Sequence, residues 1–277
     1  MKLGIFLRLM GPQATRDTLV LCARAAEAAG VDDLWVPDHI AIPPDDAEGS
    51  GGRYLDALAS LAWLAGVTGR IGLGSAALVL PYRPALPTAK WLATIQELSG
   101  GRLLLGVGVG WMHAEFRALG VDRARRGRIA DQTLAFLHAC FASDEVEHEG
   151  QRFLFLPRPA RPRIYVGGSG AHALARVLRY GDGWMPMLGD ASELAAPLRE
   201  LRERAAELGR PAPEVVVLGS LLAESPAQAL DRVSALRAAG ATRLVHASRY
   251  ADGAEFQRQL DWLSRHVAPA LRGPAAD

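Results

Sequence analysis

IGLGSAALVLPYRPALPTAKWLATIQELSGGRLLLGVGVG, residues 71–110, holds the unit from which the fold is read. IGLGSAALVL (71–80) is a short apolar run closed by Pro81 and reads as a strand. Pro84 to Leu98 reads as a helix stopped by Gly100-Gly101. LLLGVGVG (103–110) is a second strand. Strand, helix and strand in this order make the crossover unit of a parallel sheet.

The same alternation runs outward in both directions. Upstream lie a strand at 2–7, a helix from Thr15 to Ala29 stopped by Gly30, a strand at 33–37, a Pro/Gly/Asp-rich loop at 41–53 and a helix at 56–68. Downstream, a helix at 128–141 precedes a hairpin-like insertion at 146–155. Strands RIYVGG, DGWMPM, EVVVLGS and RLVHAS then alternate with helices at 171–180, 192–208, 226–239 and 254–266, and the tail from Leu271 is expected to fray. Eight strand–helix units in 277 residues predict an α/β fold, a single-domain (β/α)8 TIM barrel over 1–277 with one small hairpin insertion. An open doubly wound sheet is the alternative.

Composition narrows the function. Apolar residues make up 49%, charged residues 22%, and the formal net charge is +1, so no global field favours nucleic acid or an anionic membrane. Cys22 and Cys140 lie in apolar helical stretches and read as buried packing, not a disulfide. No apolar run has transmembrane length, and the expectation is a reduced, cytoplasmic protein.

In a (β/α)8 barrel, chemistry sits at the C-terminal ends of the strands. Lys2 and Lys90, the two lysines, are misplaced for a Schiff base, and neither the fourth nor the seventh strand ends in an acid for glycosidase chemistry. The seven histidines are scattered, so no metal site is expected. Strand ends poor in catalytic side chains point to a cofactor that carries the reaction.

Four features at those ends stand out. Gly106, Gly108 and Gly110 alternate along one strand, which either admits a ligand to that face or packs closely against protein. Gly167, Gly168, Ser169 and Gly170 join a strand to a helix, with Ser169 as the expected N-cap; the turn is either an anion site or an ordinary tight connection. Asp38-His39 ends the second strand, as an acid–base pair with Asp38 orienting His39 or as a structural pair. Trp35, Trp111 and Trp184 either line an apolar slot or belong to the core. The run Arg123, Arg125, Arg126 and Arg128 is either an anion site or a solvated face.

AEAAGVDDLWVPDHI, IGLGSAALVLPYRP, LATIQELSGGRLLLGVGVGWMHAEFRALGV, IYVGGSG and GDGWMP, in that order, resemble the luciferase-like monooxygenase superfamily, and within it the short oxidoreductases that use coenzyme F420. The likeness covers residues 1 to about 187. It implies a barrel with coenzyme F420 or FMN at the strand ends and hydride transfer to or from a small organic substrate. It also implies that His39 faces the reactive edge of the ring and that Ala76-Ala77 forms a bulge behind it, often with a cis peptide. Gly108 and Gly110, with Trp111 after them, would lie along the ring and its side chain, and Gly167, Gly168, Ser169 and Gly170 would bind the phosphate, with Trp184 on the next strand. A homodimer is implied as well. Bacterial luciferases carry an arginine where Val109 stands. Sugar-phosphate dehydrogenases using coenzyme F420 carry a glutamate where Trp111 stands and a tryptophan where Pro43 stands. An FMN-dependent monooxygenase and a barrel that binds cofactor without catalysis are the alternatives.

Overall fold

The computed structural model describes residues 1–47, 49–186 and 191–272. The strands are β1 (Lys2–Phe6), β2 (Asp33–Val36), β3 (Gly72–Val79), β4 (Leu103–Gly108), β5 (Glu145–His148), β6 (Gln151–Leu154), β7 (Arg163–Gly167), β8 (Gly183–Met185), β9 (Glu214–Gly219) and β10 (Arg243–His246). The helices are α1 (Arg16–Ala28), α2 (Ala57–Val67), α3 (Ala85–Leu98), α4 (His113–Ala118), α5 (Arg126–Ala142), α6 (Ala171–Tyr180), α7 (Ala191–Glu207), α8 (Pro226–Ala238), α9 (Gly253–His266) and α10 (Ala268–Arg272). Among the described residues, eight parallel strands close in the order β1-β10-β9-β8-β7-β4-β3-β2, while β5 and β6 pair as a separate antiparallel hairpin. The chain is a TIM barrel with the expected hairpin insertion. The end of DGWMPM at Met187 and the tail from Gly273 lie outside the described residues.

Local chemistry sets the element ends. Thr15 caps α1 through its side chain and Gly30, at φ +72°, follows its end. Asp56 caps α2 through the Ala59 amide, and Ser225 and Asp252 do the same for α8 and α9. Cys22 and Cys140 are buried in α1 and α5, and burial pushes their thiols up to about 12 and about 11.

Two apolar layers form. The larger packs the helices onto the outer face of the barrel. The inner one fills the lumen with Trp35, Tyr165, Met185, Val216 and Val245. The Trp35 indole meets Tyr165 edge to face at 5.8 Å, and it explains a glycine of β3: a Cβ on Gly74 would fall 2.4 Å from the indole. Bulk on one strand requires its absence on the neighbour.

β3 carries one irregularity. Ser75 pairs with Leu105 and Leu78 with Val107, so one extra residue sits between them. The Ala76-Ala77 peptide there is cis. Leu156-Pro157 is cis as well.

Candidate active site

The three alternating glycines, Gly106 and Gly108 in β4 and Gly110 just beyond it, have three different surroundings. A Cβ on Gly106 would fall 2.0 Å from the Ser75 carbonyl oxygen and 2.8 Å from Met185, so it accommodates the β3 bulge. Gly110 has φ +77° and lies against Val79 and Phe116, where a Cβ would stand 2.8 Å and 3.0 Å away. Gly108 is different: a Cβ there would meet Ala77 at 3.5 Å and nothing else within 4 Å. Protein therefore occupies the space at two of the three, and only Gly108 faces room.

That room continues sideways. A Cβ on Gly167 would stand 3.0 Å from the Val107 carbonyl oxygen of β4 and 3.7 Å from the Ala77 Cβ, so close strand packing already favours glycine there. Ala77, Gly108 and Gly167 thus form a floor of small residues across β3, β4 and β7, which are neighbours in the barrel. Ala76, half-buried, packs with Ala77 on the inner apolar cluster.

At the β7 side the floor ends in the glycine turn. Gly168 and Gly170 have φ +107° and +82°. The N-cap of α6 is Gly170, without a side-chain hydrogen bond, and Ser169 is exposed. The expectation of a Ser169 cap is corrected: the left-handed backbone of Gly170 occupies the cap position, one residue later. Trp184 is fully buried in the layer between barrel and helices, and its Nε1 donates to the Gly168 carbonyl at 2.7 Å, bracing the turn from the outer face of the barrel. Trp35 is also fully buried. A slot lined by three tryptophans does not form; Trp111 alone of them reaches the mouth, 64% exposed.

On the other side of the floor lies the end of β2. His39 Nδ1 is 2.8 Å from Glu115 Oε2, not paired with Asp38. A carboxylate only accepts, so Nδ1 carries the proton and Nε2 is left, among the described residues, without a hydrogen-bond partner. The imidazole stands 5.2 Å from the Tyr54 ring and 6.1 Å from Trp111, both edge to face, and its side chain is 20% exposed.

Glu115 is fully buried and saturated with donors. Its Oε2 also accepts from the Tyr82 hydroxyl at 2.8 Å, and its Oε1 from the Ile40 and Ala41 amides at 2.6 and 2.9 Å. Burial alone would raise its pKa, but the bonds from His39, the two amides and Tyr82 outweigh it and hold the carboxyl at about 2. Sequence reasoning found no acid for this strand end. Glu115 comes from α4, a single six-residue turn after β4, too short to show a period.

Asp38 points the other way. Its carboxylate is buried, takes both Nη atoms of Arg83 at 2.7 Å, and accepts the Val79 amide at 2.9 Å. Arg83 Nη2 also donates to Asp56 at 2.8 Å. Burial works against the Arg83 charge, yet the two carboxylates prevail and raise its pKa. Asp38 therefore braces β2 against β3 and does not orient His39, which corrects the expected pairing.

The residues match the luciferase-like monooxygenase family over 1–274. This chain belongs to that family. It is an oxidoreductase of that family. The F420-dependent glucose-6-phosphate dehydrogenase of Kineococcus radiotolerans is 30% identical over 223 residues, 74% of this chain and 64% of the relative. Among solved structures, monooxygenase RslO1 from Streptomyces bottropensis superposes with a TM-score of 0.83 at 20% identity, covering 97% of this chain and 99% of the other. An F420-dependent secondary alcohol dehydrogenase in complex with an F420-acetone adduct gives 0.80 at 17% identity, covering 98% and 99%. At these identities the two superpositions speak for the fold.

Proposed function

We propose that the chain is a coenzyme F420-dependent oxidoreductase that moves a hydride between the deazaflavin and a small organic substrate. One observation carries the reading. Four neighbouring strands, β7, β4, β3 and β2, present in succession a glycine turn, Gly108, Ala77 and the His39 imidazole. A flat ring needs such a floor, because a larger side chain at Gly108 would stand in its place. A phosphate suits the turn, where among the described residues the Ser169 and Gly170 amides have no hydrogen-bond partner and α6 begins. Beyond it, Val109, Arg126, Arg128, His172 and Arg179, with Arg176 already paired to Asp131, line a net basic cleft of about 720 Å³ that suits an anionic cofactor tail. Arg123 and Arg125 do not line it.

When bound, the deazaflavin supplies the hydride chemistry. The chain supplies the rest. Ala77, Gly108 and Gly167 support the ring, and the 167–170 turn with Trp184 behind it anchors the phosphate. His39 gives or takes the substrate's proton at Nε2. Glu115 holds Nδ1–H, fixing the tautomer and stabilising the ring when it is charged. Gly110 and Trp111 shape the mouth beside these groups.

The same floor suits FMN, and a flavin monooxygenase is the second reading. Fluorescence titration with oxidised coenzyme F420, and with FMN in parallel, tests both. Tight binding of the deazaflavin with weak FMN binding is the expected result. The reverse moves the chain to oxygen-dependent chemistry, and binding of neither removes the floor as a cofactor site. Gly168→Leu, checked for folding by circular dichroism, should lose that binding. No helix among the described residues is long and apolar enough to cross a membrane, and the chain is proposed to work as a homodimer in the cytoplasm on a small-molecule substrate.

A further inference from the structure

A second cavity, of about 210 Å³, opens beside His39 and is lined by Arg8, Asp46, Tyr54, Trp111 and Arg249 among others. Arg8 follows β1 and Arg249 follows β10, strands that pair directly, so both guanidiniums come from adjacent strand ends. Among the described residues, neither forms an ion pair. Asp46 shares the cavity and pairs with neither.

Arg8 is the more telling of the two. It is half-buried, and its Nε has no partner although water cannot reach it. Its guanidinium makes one long contact, 3.5 Å to the Gly49 carbonyl. Nε is likewise unpartnered in Arg123 and Arg243, but Arg243 keeps an ion pair with Asp33 through Nη1, Arg83 holds two carboxylates, and Arg176 holds Asp131 at 2.6 Å. A buried donor left unsatisfied costs free energy, and a charged one costs more. Arg8 Nε is closed to a ligand as it is to water, but an anionic oxygen group in the cavity would meet the outward Nη atoms of Arg8 and of Arg249, which among the described residues have no carboxylate partner.

We infer that this cavity selects a small substrate bearing an anionic oxygen group, a carboxylate or a phosphate, held by Arg8 and Arg249 with its reacting end toward His39. The aromatic edges of Tyr54 and Trp111 flank the imidazole and favour a flat or apolar body between the two ends. The volume suits a small acid and not a long chain. The inference rests on the proposed oxidoreductase reading for its view of His39, but the anion site is testable without turnover.

Isothermal titration calorimetry of the full chain, with and without oxidised coenzyme F420, would use benzoate, inorganic phosphate and the neutral benzamide as probes. At least one anion should bind about tenfold more tightly than benzamide. A preference for benzoate assigns a carboxylate, and a preference for phosphate assigns a phosphate. Arg8→Met and Arg249→Met should each abolish the preference while the circular dichroism spectrum and F420 affinity stay unchanged. Arg249 is exposed, so its variant keeps the test intact if Arg8→Met fails to fold. Equal binding of anions and benzamide, or an anion preference that survives in Arg249→Met, overturns the inference. Anion preference in a protein that binds no F420 or FMN would sink the cofactor reading and leave this one standing.

Discussion

His39 and His246 end neighbourhoods of the same barrel, one after β2 and one closing β10, with β1 between them. Their settings are opposite. His39 has one nitrogen tied to a buried carboxylate and the other turned to a cavity. His246 is 1% exposed, accepts the Leu221 amide at Nδ1 at 3.0 Å, and faces Gln259 Oε1 at 3.4 Å from Nε2. Burial, only partly offset by Gln259, pushes its pKa down to about 4. The lesson is that position at a strand end does not decide a histidine's role. A neutral ring with both nitrogens engaged is held by its neighbours, and a ring with one nitrogen anchored and the other unpartnered among the described residues has the setting that the proposed proton transfer needs.

The sharpest way to break this comparison is to remove each ring. His39→Ala should lower turnover about a hundredfold or more while leaving cofactor affinity near wild type and costing only about 1 kcal/mol of stability, the lost bond to Glu115. His246→Ala should do the reverse, leaving the Leu221 amide unsatisfied and lowering the melting temperature with kcat per folded molecule preserved. Crossed results would refute the assignment.

Acid sharpens it next. The folded pKa of His246 lies below its ordinary 6.5, so the unfolded chain takes up the proton first as pH falls. Its contribution is complete above pH 6.5 and should decline by roughly 3 kcal/mol toward pH 4. Denaturant melts across that window should show the slope, and His246→Asn should flatten it.

A smaller effect belongs to Glu115→Gln. The shape is kept but the charge facing His39 is lost, so turnover should fall about tenfold, mostly in kcat. Because Glu115 stays ionised down to about pH 2, the wild-type profile should carry no carboxylate titration from this residue near pH 4.5. Smallest of all, Tyr82→Phe removes one of four bonds to that carboxylate and should cost about 1 kcal/mol of stability by chemical melting.

The barrel was legible because each strand is a short apolar run and most helices, α1, α2, α3, α6, α7 and α8 among them, are followed within two residues by a glycine, signals that local chemistry enforces. The glycine turn and Gly108 were legible for the same reason. What escaped depends on contacts between distant segments. Glu115 meets His39 across 76 positions, and Asp38 meets Arg83 across 45. Adjacency in sequence suggested Asp38 as the partner of His39, but two consecutive residues at a strand end point to opposite sides. Ser169 looked like a cap because serine is a good one, yet a glycine able to take positive φ stood one place further on. Gly106 and Gly110 looked like neighbours of a ligand because the sequence does not reveal the β3 bulge or the Phe116 ring that they accommodate.

Arg83 reaches both Asp38, at the root of the segment that leaves β2, and Asp56, where that segment enters α2. One guanidinium therefore pins the two ends of the intervening loop like the clasp of a bracelet. With the ends fixed, doubling the loop's length costs only about 0.6 kcal/mol of closure entropy. The part of the chain that borders the proposed substrate cavity can thus be exchanged, lengthened or trimmed while the imidazole beside it keeps its place, which makes this loop the natural point at which to graft a new specificity onto the proposed reaction centre.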